Sequence, residues 1–386
     1  MKPIYLDYQS TTPTDNKVLK KMMPFFTNIY GNPHSSNHSF GSLANDAVNL
    51  SRKVIASVIG ADEKEIIFTS GATESNNLAI KGAFSYRYKY HNRKKIIIAS
   101  TEHKCVIEAA NSLISLGAEV IILNVDKEGK INLEQLKKVI DEEVAIVAVM
   151  LANNEIGVIQ PLQEISKICK KYNVWLHSDA AQALGNLKVN VNLLGVDLLS
   201  ISSHKVYGPK GVGCLYVRRK PRIRLISQID GGGQERLMRS GTLPTPLIVG
   251  FSEALKISND NLDVNIKTLK ILRDRLHKNF INDVNAIKLN GPPLNGERLP
   301  NNLNYTVNGV SGAKLTEELG DQVAFSTGSA CSTGGIEPSY VLNSIGIDDK
   351  SALSSFRISV GRNTTINEID IASKIISDKI KILRKV

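Results

Sequence analysis

The chain has 386 residues, 42% hydrophobic and 22% charged, which suits two globular domains and excludes a low-complexity or disordered polymer. Basic residues number 48 against 37 acidic ones, a net charge of +11 that allows an anionic partner. The densest patches are Arg218, Arg219, Lys220, Arg222 and Arg224, and Lys379, Lys381, Arg384 and Lys385, although a lysine-rich composition gives the same count. No run approaches the roughly 18 apolar residues of a membrane span. The opening MKPIYLDYQSTTP lacks the apolar stretch of a secretory signal, so the expected location is cytoplasmic, with no membrane contact. Four cysteines fall at 105, 169, 214 and 331, none spaced as CxxC, so neither a zinc site nor a disulfide framework is expected. Cys105, Cys169 and Cys214 sit in or beside apolar runs and read as core.

In chain order, Ile4–Tyr8 reads as a short strand, and Val18 to Met23 recurs at helical spacing up to Pro24. The segment 31–41, GNPHSSNHSFG, is rich in turn formers, and a helix runs from Leu43 to Ile59 before Gly60. Strand Ile66–Thr69 leads through Ser70, Gly71, Ala72 and Thr73 into a helix. A buried strand, a glycine turn and a hydroxyl-rich helix start form an anion site, because free backbone N–H groups and the helix dipole converge there. Simple capping by Ser70 or Thr73 gives the same local pattern. Neither a GxGxxG fingerprint nor a Walker A loop occurs.

Strands at 96–99, 120–125 and 145–150 then alternate with helices, predicting a mainly parallel sheet with helices on both faces. Two further apolar pushes follow, Val174–Leu176 ending at Asp179, and Val196–Ile201 ending at Ser202–Lys205. Parallel strands deliver such residues to the carboxyl edge of the sheet. His103, Asn154, Asp179, His204 and Lys205 all lie just beyond strand ends and can meet in one crevice. An aldehyde cofactor with a pyridine ring needs an amine for its Schiff base and a carboxylate beside its ring nitrogen. Asp179 and Lys205 supply that pair; a salt bridge at a sheet edge is the other reading. His103 is a helix cap or an aromatic plate against a ring. Val212–Val217 is placed toward the far side of the large domain. Helical periodicity from Ile248 to Phe280 bridges to an α+β segment with strands at Ile287–Leu289, Leu303–Val307 and Phe356–Val360. Arg357 interrupts the last of these, as a solvent-facing edge residue or as a fork for a substrate carboxylate.

FSTGSACSTGG (325–335) surrounds Cys331 with small residues and no apolar period. A thiol placed for access is the best side-chain nucleophile once deprotonated; an incidental exposed cysteine is the alternative. Together with Lys205, such a thiol can take sulfur from an amino-acid substrate, leaving alanine and a persulfide.

These blocks carry a resemblance. TSGATESNN (69–77), TEHK (101–104), NNEIGV (153–158), HSDAAQ (177–182), SSHKVYGPKG (202–211), RSGTLP (239–244) and GSACS (328–332) jointly resemble the pyridoxal-phosphate-dependent cysteine desulfurases of IscS/NifS type, relatives of the class V aminotransferases. The resemblance runs from Tyr5 to Arg362. It implies an α/β protein of fold type I: a mainly parallel seven-stranded sheet domain over 15–255, and a smaller α+β domain over 1–14 and 256–386 that carries a mobile cysteine loop (about 325–336). It implies pyridoxal 5'-phosphate as cofactor and no metal, except that Cys331 could meet an iron–sulfur cluster on a scaffold. Lys205 would form the Schiff base, Asp179 pair with the ring nitrogen, His103 stack on the ring and assist proton transfer, and Gln182 bond the ring hydroxyl. Ala72, Thr73, Ser202, His204 and, from a second subunit, Thr242 would hold the phosphate. Asn154 and Arg357 would fix the carboxylate of L-cysteine, and Cys331 would accept sulfur.

Implied partners are a second copy in a homodimer, an iron–sulfur scaffold and a tRNA-thiolation sulfur acceptor, with no direct nucleic-acid contact. The GSAC form resembles the group whose long loop delivers sulfur to a scaffold. Departures are Gln9 and Ser10 in the first block, Ser203 beside the lysine block, and an end at Val386 where housekeeping members extend further, which leaves scaffold docking less defined. The rival readings are a selenocysteine lyase or aminotransferase on the same fold, and a sulfur-transfer scaffold without catalysis.

Overall fold

The computed structural model describes residues 3–327 and 337–385; Cys331 and the rest of the GSACS block lie outside them. The first strand, β1 (Ile4–Tyr5), stands apart from the large sheet that follows. That sheet contains β2 (Ile66–Thr69), β3 (Lys95–Ala99), β4 (Glu119–Leu123), β5 (Val144–Ala148), β6 (Trp175–Asp179), β7 (Leu198–Ser202) and β8 (Gly213–Val217). Their order is β2-β8-β7-β6-β5-β3-β4. β8 runs antiparallel to both neighbours and the other six are mutually parallel, as the alternation of strand and helix requires.

β8 lies toward one side of the sheet, and its direction is what the sequence did not show. It lies inside the sheet, one strand from the β2 edge, and is buried throughout. The connection from β7 holds only the short turn Ser203–Lys205 and no crossover helix, so the chain reverses. The helix after the polar segment 31–41 also differs: it spans Ser39–Ile59, four residues longer at its start than the apolar period shows. His38 caps it, its Nδ1 accepting the Gly41 N–H at 3.1 Å, and polar first-turn residues hide such a start from periodicity. Gly60 closes it with φ +70°, a conformation glycine adopts without strain.

Helices cover both faces. On one, Ser39–Ile59 and Thr245–Asp260 bury Ile55, Ile59, Phe251 and Leu255 against Phe68, Val147 and Ile201. On the other, Ala72–His91 and Lys104–Asn111 bury Leu78, Phe84 and Val106 against Ile96, Ile98 and Leu215. β5, β6 and β7 are buried along their whole length, as expected for central strands of a two-sided sheet.

The remaining strands are β9 (Ile287–Leu289), β10 (Asn302–Val307), β11 (Val323–Ala324) and β12 (Ser355–Ser359). An antiparallel sheet takes the order β12-β10-β9, and β11 pairs in parallel with β1. Leu276, Phe280, Tyr305, Phe356 and Ile376 form a second core with Leu6, between helices Leu262–Asp283 and Ile366–Leu383. The chain therefore starts on the small sheet. It then crosses to the carboxyl edge of the large one, where Thr12 N–H donates to the His204 carbonyl at 3.0 Å. No helix among the described residues is long and apolar enough to cross a membrane.

Candidate active site

A cavity of about 550 Å³ opens over the carboxyl ends of the parallel strands, roofed by residues 9–11 and by Arg357. β2, β3, β5, β6 and β7 each lead into residues that line it, because parallel strands all finish on one edge. Asp179 is the last residue of β6 and is 6% exposed. Its Oδ2 accepts from Asn76 Nδ2 at 2.7 Å and its Oδ1 from the Ala181 N–H at 2.8 Å, bonds that fix the carboxylate plane. Lys205 ends the short turn after β7, with Nζ donating to the carbonyls of Gln9 (2.5 Å) and Ser10 (2.6 Å). Gln182 Nε2 donates to the same Gln9 carbonyl at 2.9 Å.

Gly71 stands between β2 and the 20-residue helix Ala72–His91, with φ +153°, a conformation side-chain-bearing residues rarely adopt. Gly213 of β8 must pass beside it: a Cβ on Gly213 would lie 2.8 Å from Gly71 Cα. The first-turn amides of the helix, including those of Ala72 and Thr73, have no partner within the helix and open on the cavity wall. Ser202 and His204 line the same end. Burial, with Lys205 and Lys210 nearby, pushes the His204 pKa down to about 4, so its ring is neutral at pH 7, and its Nδ1 lies 3.0 Å from Thr11 Oγ1.

His103 caps helix Lys104–Asn111, its Nδ1 accepting the Cys105 N–H at 3.2 Å. Burial lowers its pKa, opposed by Asp179 and aided by Lys205. With Nδ1 accepting, the neutral ring is assigned as the Nε2–H tautomer. Cys105 is half-buried and packs against the core rather than within it. It lines the cavity, Sγ 3.0 Å from His103 Nδ1 and 3.1 Å from Asn76 Nδ2, and burial beside Asp179 pushes its thiol up to about 12. That thiol is inert at neutral pH.

Arg357 is 6% exposed, which removes the solvent-facing alternative. Its Nη1 donates to the Asn154 carbonyl at 2.9 Å, and its Nη2 to Asp7 Oδ1 and Ser326 Oγ, both at 2.7 Å. Asp7 and Arg357 form an ion pair little exposed on either side. A bidentate carboxylate therefore meets a guanidinium whose Nη2 is already engaged.

Among the expected site residues, the structure brings Ala72, Thr73, His103, Asn154, Asp179, Gln182, Ser202, His204, Lys205 and Arg357 to one cavity. Thr242 is exposed and does not line it; its segment is anchored at Glu235, whose carboxylate is bonded by Arg52 at 2.6 and 2.8 Å. Asp7, Gln9, Asn76 and Glu102 fall within the motif blocks, where the sequence assigns them no role. Glu102 is fully buried, Oε1 accepting the Met150 N–H at 2.7 Å, and burial raises its pKa well above the carboxylate range. Adjacency to a strand end could have found Asp7, two residues past β1, and Glu102, three past β3, whereas Asn76 lies inside helix Ala72–His91 and only the fold brings it to Asp179.

The donor set fits an anionic aromatic aldehyde. An amine and a buried carboxylate line one cavity, together with a helix N-terminus and a flat imidazole. Fold and site together define a class, the fold-type I α/β enzymes that work through a lysine-bound pyridoxal group. The class-V aminotransferase model matches residues 4–371. The cysteine desulfurase IscS of Rickettsia prowazekii (strain Madrid E) is 50% identical over 384 residues, covering 99% of this chain and 92% of the relative. The mitochondrial cysteine desulfurase of Saccharomyces cerevisiae is 49% identical, covering 100% of this chain and 76% of the relative. Among solved structures, a NifS-like protein superposes with a TM-score of 0.91 at 35% identity, covering 99% and 100% of the two chains. SspA in complex with cysteine gives a TM-score of 0.82 at 33% identity, over 95% and 100%. The chain belongs to the class-V aminotransferase family, in its IscS/NifS group.

Proposed function

We propose that the chain is a pyridoxal-phosphate-dependent cysteine desulfurase that converts L-cysteine and a thiol on Cys331 to L-alanine and a Cys331 persulfide. The observation that carries this reading is the meeting of the Lys205 amine and the Asp179 carboxylate in one cavity beside a helix-start anion cradle.

When bound, pyridoxal phosphate supplies an electron sink for the pair released at the substrate α-carbon. Ala72 and Thr73 N–H, Ser202 and the neutral His204 would hold its phosphate, with Thr242 arriving from a second subunit. Asp179, fixed by Asn76 and Ala181, would pair with the ring nitrogen, and Gln182 would bond the ring hydroxyl. Arg357 and Asn154 would take the substrate carboxylate. Lys205 leaves its carbonyl partners and moves the α-proton, because His103 already carries its proton on Nε2 and serves as donor. The Cys331 thiolate attacks the substrate sulfur: an S–S bond forms, the C–S bond breaks, its pair stays on carbon, and a proton completes alanine.

Two domains, 15–255 and 1–14 with 256–386, are supported by the separate cores under the large and small sheets. A homodimer is supported by apolar residues exposed near the chain start, among them Met23, Phe26, Tyr30, Phe40 and Leu43. Iron–sulfur scaffolds, and possible tRNA-thiolation proteins, are the proposed sulfur acceptors, in the cytoplasm. The test is mass spectrometry of Cys331 after incubation with L-cysteine. One added sulfur atom, absent in Cys331→Ala, is the expected result; a folded, cofactor-loaded protein that never gains it overturns the proposal.

A further inference from the structure

The upstream flank of the segment that contains Cys331 is fastened to Arg357, and the downstream flank to the sequence neighbours of Asn154 and His103. Upstream, Ser326 and Arg357 exchange backbone bonds (3.2 and 2.6 Å), and Ser326 Oγ donates to Asp7 Oδ1 at 3.0 Å. Downstream, Ser339 Oγ donates to Glu155 Oε2 at 2.6 Å, and Tyr340 OH donates to the Glu102 carbonyl at 2.7 Å. Glu155 follows Asn154 directly, and Glu102 precedes His103.

Glu155 is buried where Asn153, Asn302, Asn304 and Ser339 bond it, beside a cluster in which helix Tyr340–Ser344 packs Val341 and Leu342 on Ile156 and Val158. The residue is 4% exposed. A buried carboxyl is a poor source of stability, since a hydrophobic residue of similar volume packs there at no desolvation penalty. What it provides is direction: one short bond from a fixed turn to one hydroxyl. The turn is rigid, with Asn153 Oδ1 accepting the Glu155 and Ile156 N–H groups (2.8 and 2.9 Å), and Asn302 Nδ2 donating to the Glu155 carbonyl at 3.0 Å. Ser339 also caps its helix, accepting the Leu342 N–H at 3.2 Å.

We propose that Glu155, through Ser339, is a positioning residue for sulfur transfer: it registers the downstream flank of the Cys331 segment against the turn that presents Asn154 to the substrate. The inference rests on the desulfurase reading above. Loosening the bond releases the downstream flank from that turn without removing any group that touches substrate.

The experiment uses the cofactor-loaded full chain and two readouts: the absorbance change of the cofactor on titration with L-cysteine, and the single-turnover rate of persulfide formation on Cys331. Ser339→Ala and Glu155→Leu are expected to slow persulfide formation about 10- to 100-fold, the scale of a misplacement near 1 Å. The L-cysteine concentration that half-saturates the absorbance change stays at its wild-type value in both. Ser339→Thr keeps the hydroxyl and Glu155→Gln keeps the acceptor, so both stay within about threefold of wild type. Glu155→Leu leaves the helix cap in place and covers the case in which Ser339→Ala fails to fold. Wild-type persulfide rates in Ser339→Ala and Glu155→Leu overturn the inference. So does a half-saturating concentration that rises in step with the loss of rate. A wild-type protein that binds L-cysteine but forms no persulfide overturns the desulfurase reading instead.

Discussion

The two ends of the cavity are built in different ways. At the cofactor end, Gly71, Asp179, Ser202 and Lys205 come from the carboxyl ends of β2, β6 and β7 or the turns just beyond, and the register of one sheet sets their spacing. At the carboxylate end, Asp7, Asn154, Ser326 and Arg357 come from four distant stretches joined by side-chain bonds. The first end depends on a buried backbone lattice that tolerates little change. The second depends on a few charge-assisted bonds, each of which can be loosened alone.

The largest effect is expected at the cofactor end. On the proposed mechanism Lys205→Ala removes both the covalent anchor and the base and should lower alanine production about 10⁴-fold or more; activity within tenfold of wild type would separate the catalytic centre from this lattice. At the other end, Arg357→Lys keeps the charge but loses the fork, and should raise the KM for L-cysteine about 10- to 100-fold with a smaller change in kcat. Steady-state kinetics on both variants sharpens the contrast, since an effect on kcat alone for Arg357→Lys would move that residue to the cofactor end.

Beneath the cofactor end, His177 is fully buried on β6 and its Nε2 lies 3.0 Å from Ser200 Oγ. Burial pushes its pKa down from 6.5 to about 4. The unfolded chain therefore takes up a proton as pH falls below 6.5 while the folded one does not. Stability present above pH 6.5 is lost progressively toward pH 4, by about 3 kcal/mol at that residue. In His177→Gln the acid side of the stability profile should flatten by that amount in denaturant titrations at pH 7 and pH 4.5, and an unchanged profile would place the acid sensitivity elsewhere. The smallest effect belongs to Asp7→Asn, which keeps a hydrogen-bond acceptor but removes the charge that competes for Arg357 Nη2. Its KM for L-cysteine should fall about threefold to tenfold, and a rise would show that Asp7 instead holds Arg357 in place for the substrate.

Legibility followed the same division. Alternating strands and helices exposed the parallel sheet, and the rule that such strands share one edge brought His103, Asn154, Asp179 and Lys205 together before any coordinates. The reversal of β8 was not legible, because Val212–Val217 has the same apolar run whichever way it points. The engagement of Arg357 by Asp7 was hidden for another reason: 350 positions separate the two residues, and no local period links them.

Cys105 shows the limit from the other side. Its apolar neighbours Val106 and Ile107 pointed to a core, yet the helix it opens is capped by His103 and turns its thiol into the cavity. By itself, the sequence determined which side chains stand at strand ends, since hydrophobic periodicity and turn chemistry are local and survive in one dimension. Tertiary structure alone decided which of them are bonded to one another, how each carboxyl and imidazole is charged, and which flanks of the Cys331 segment are held. Those properties follow from burial and from contacts between residues far apart in the chain, and distance through space is not written in order along it.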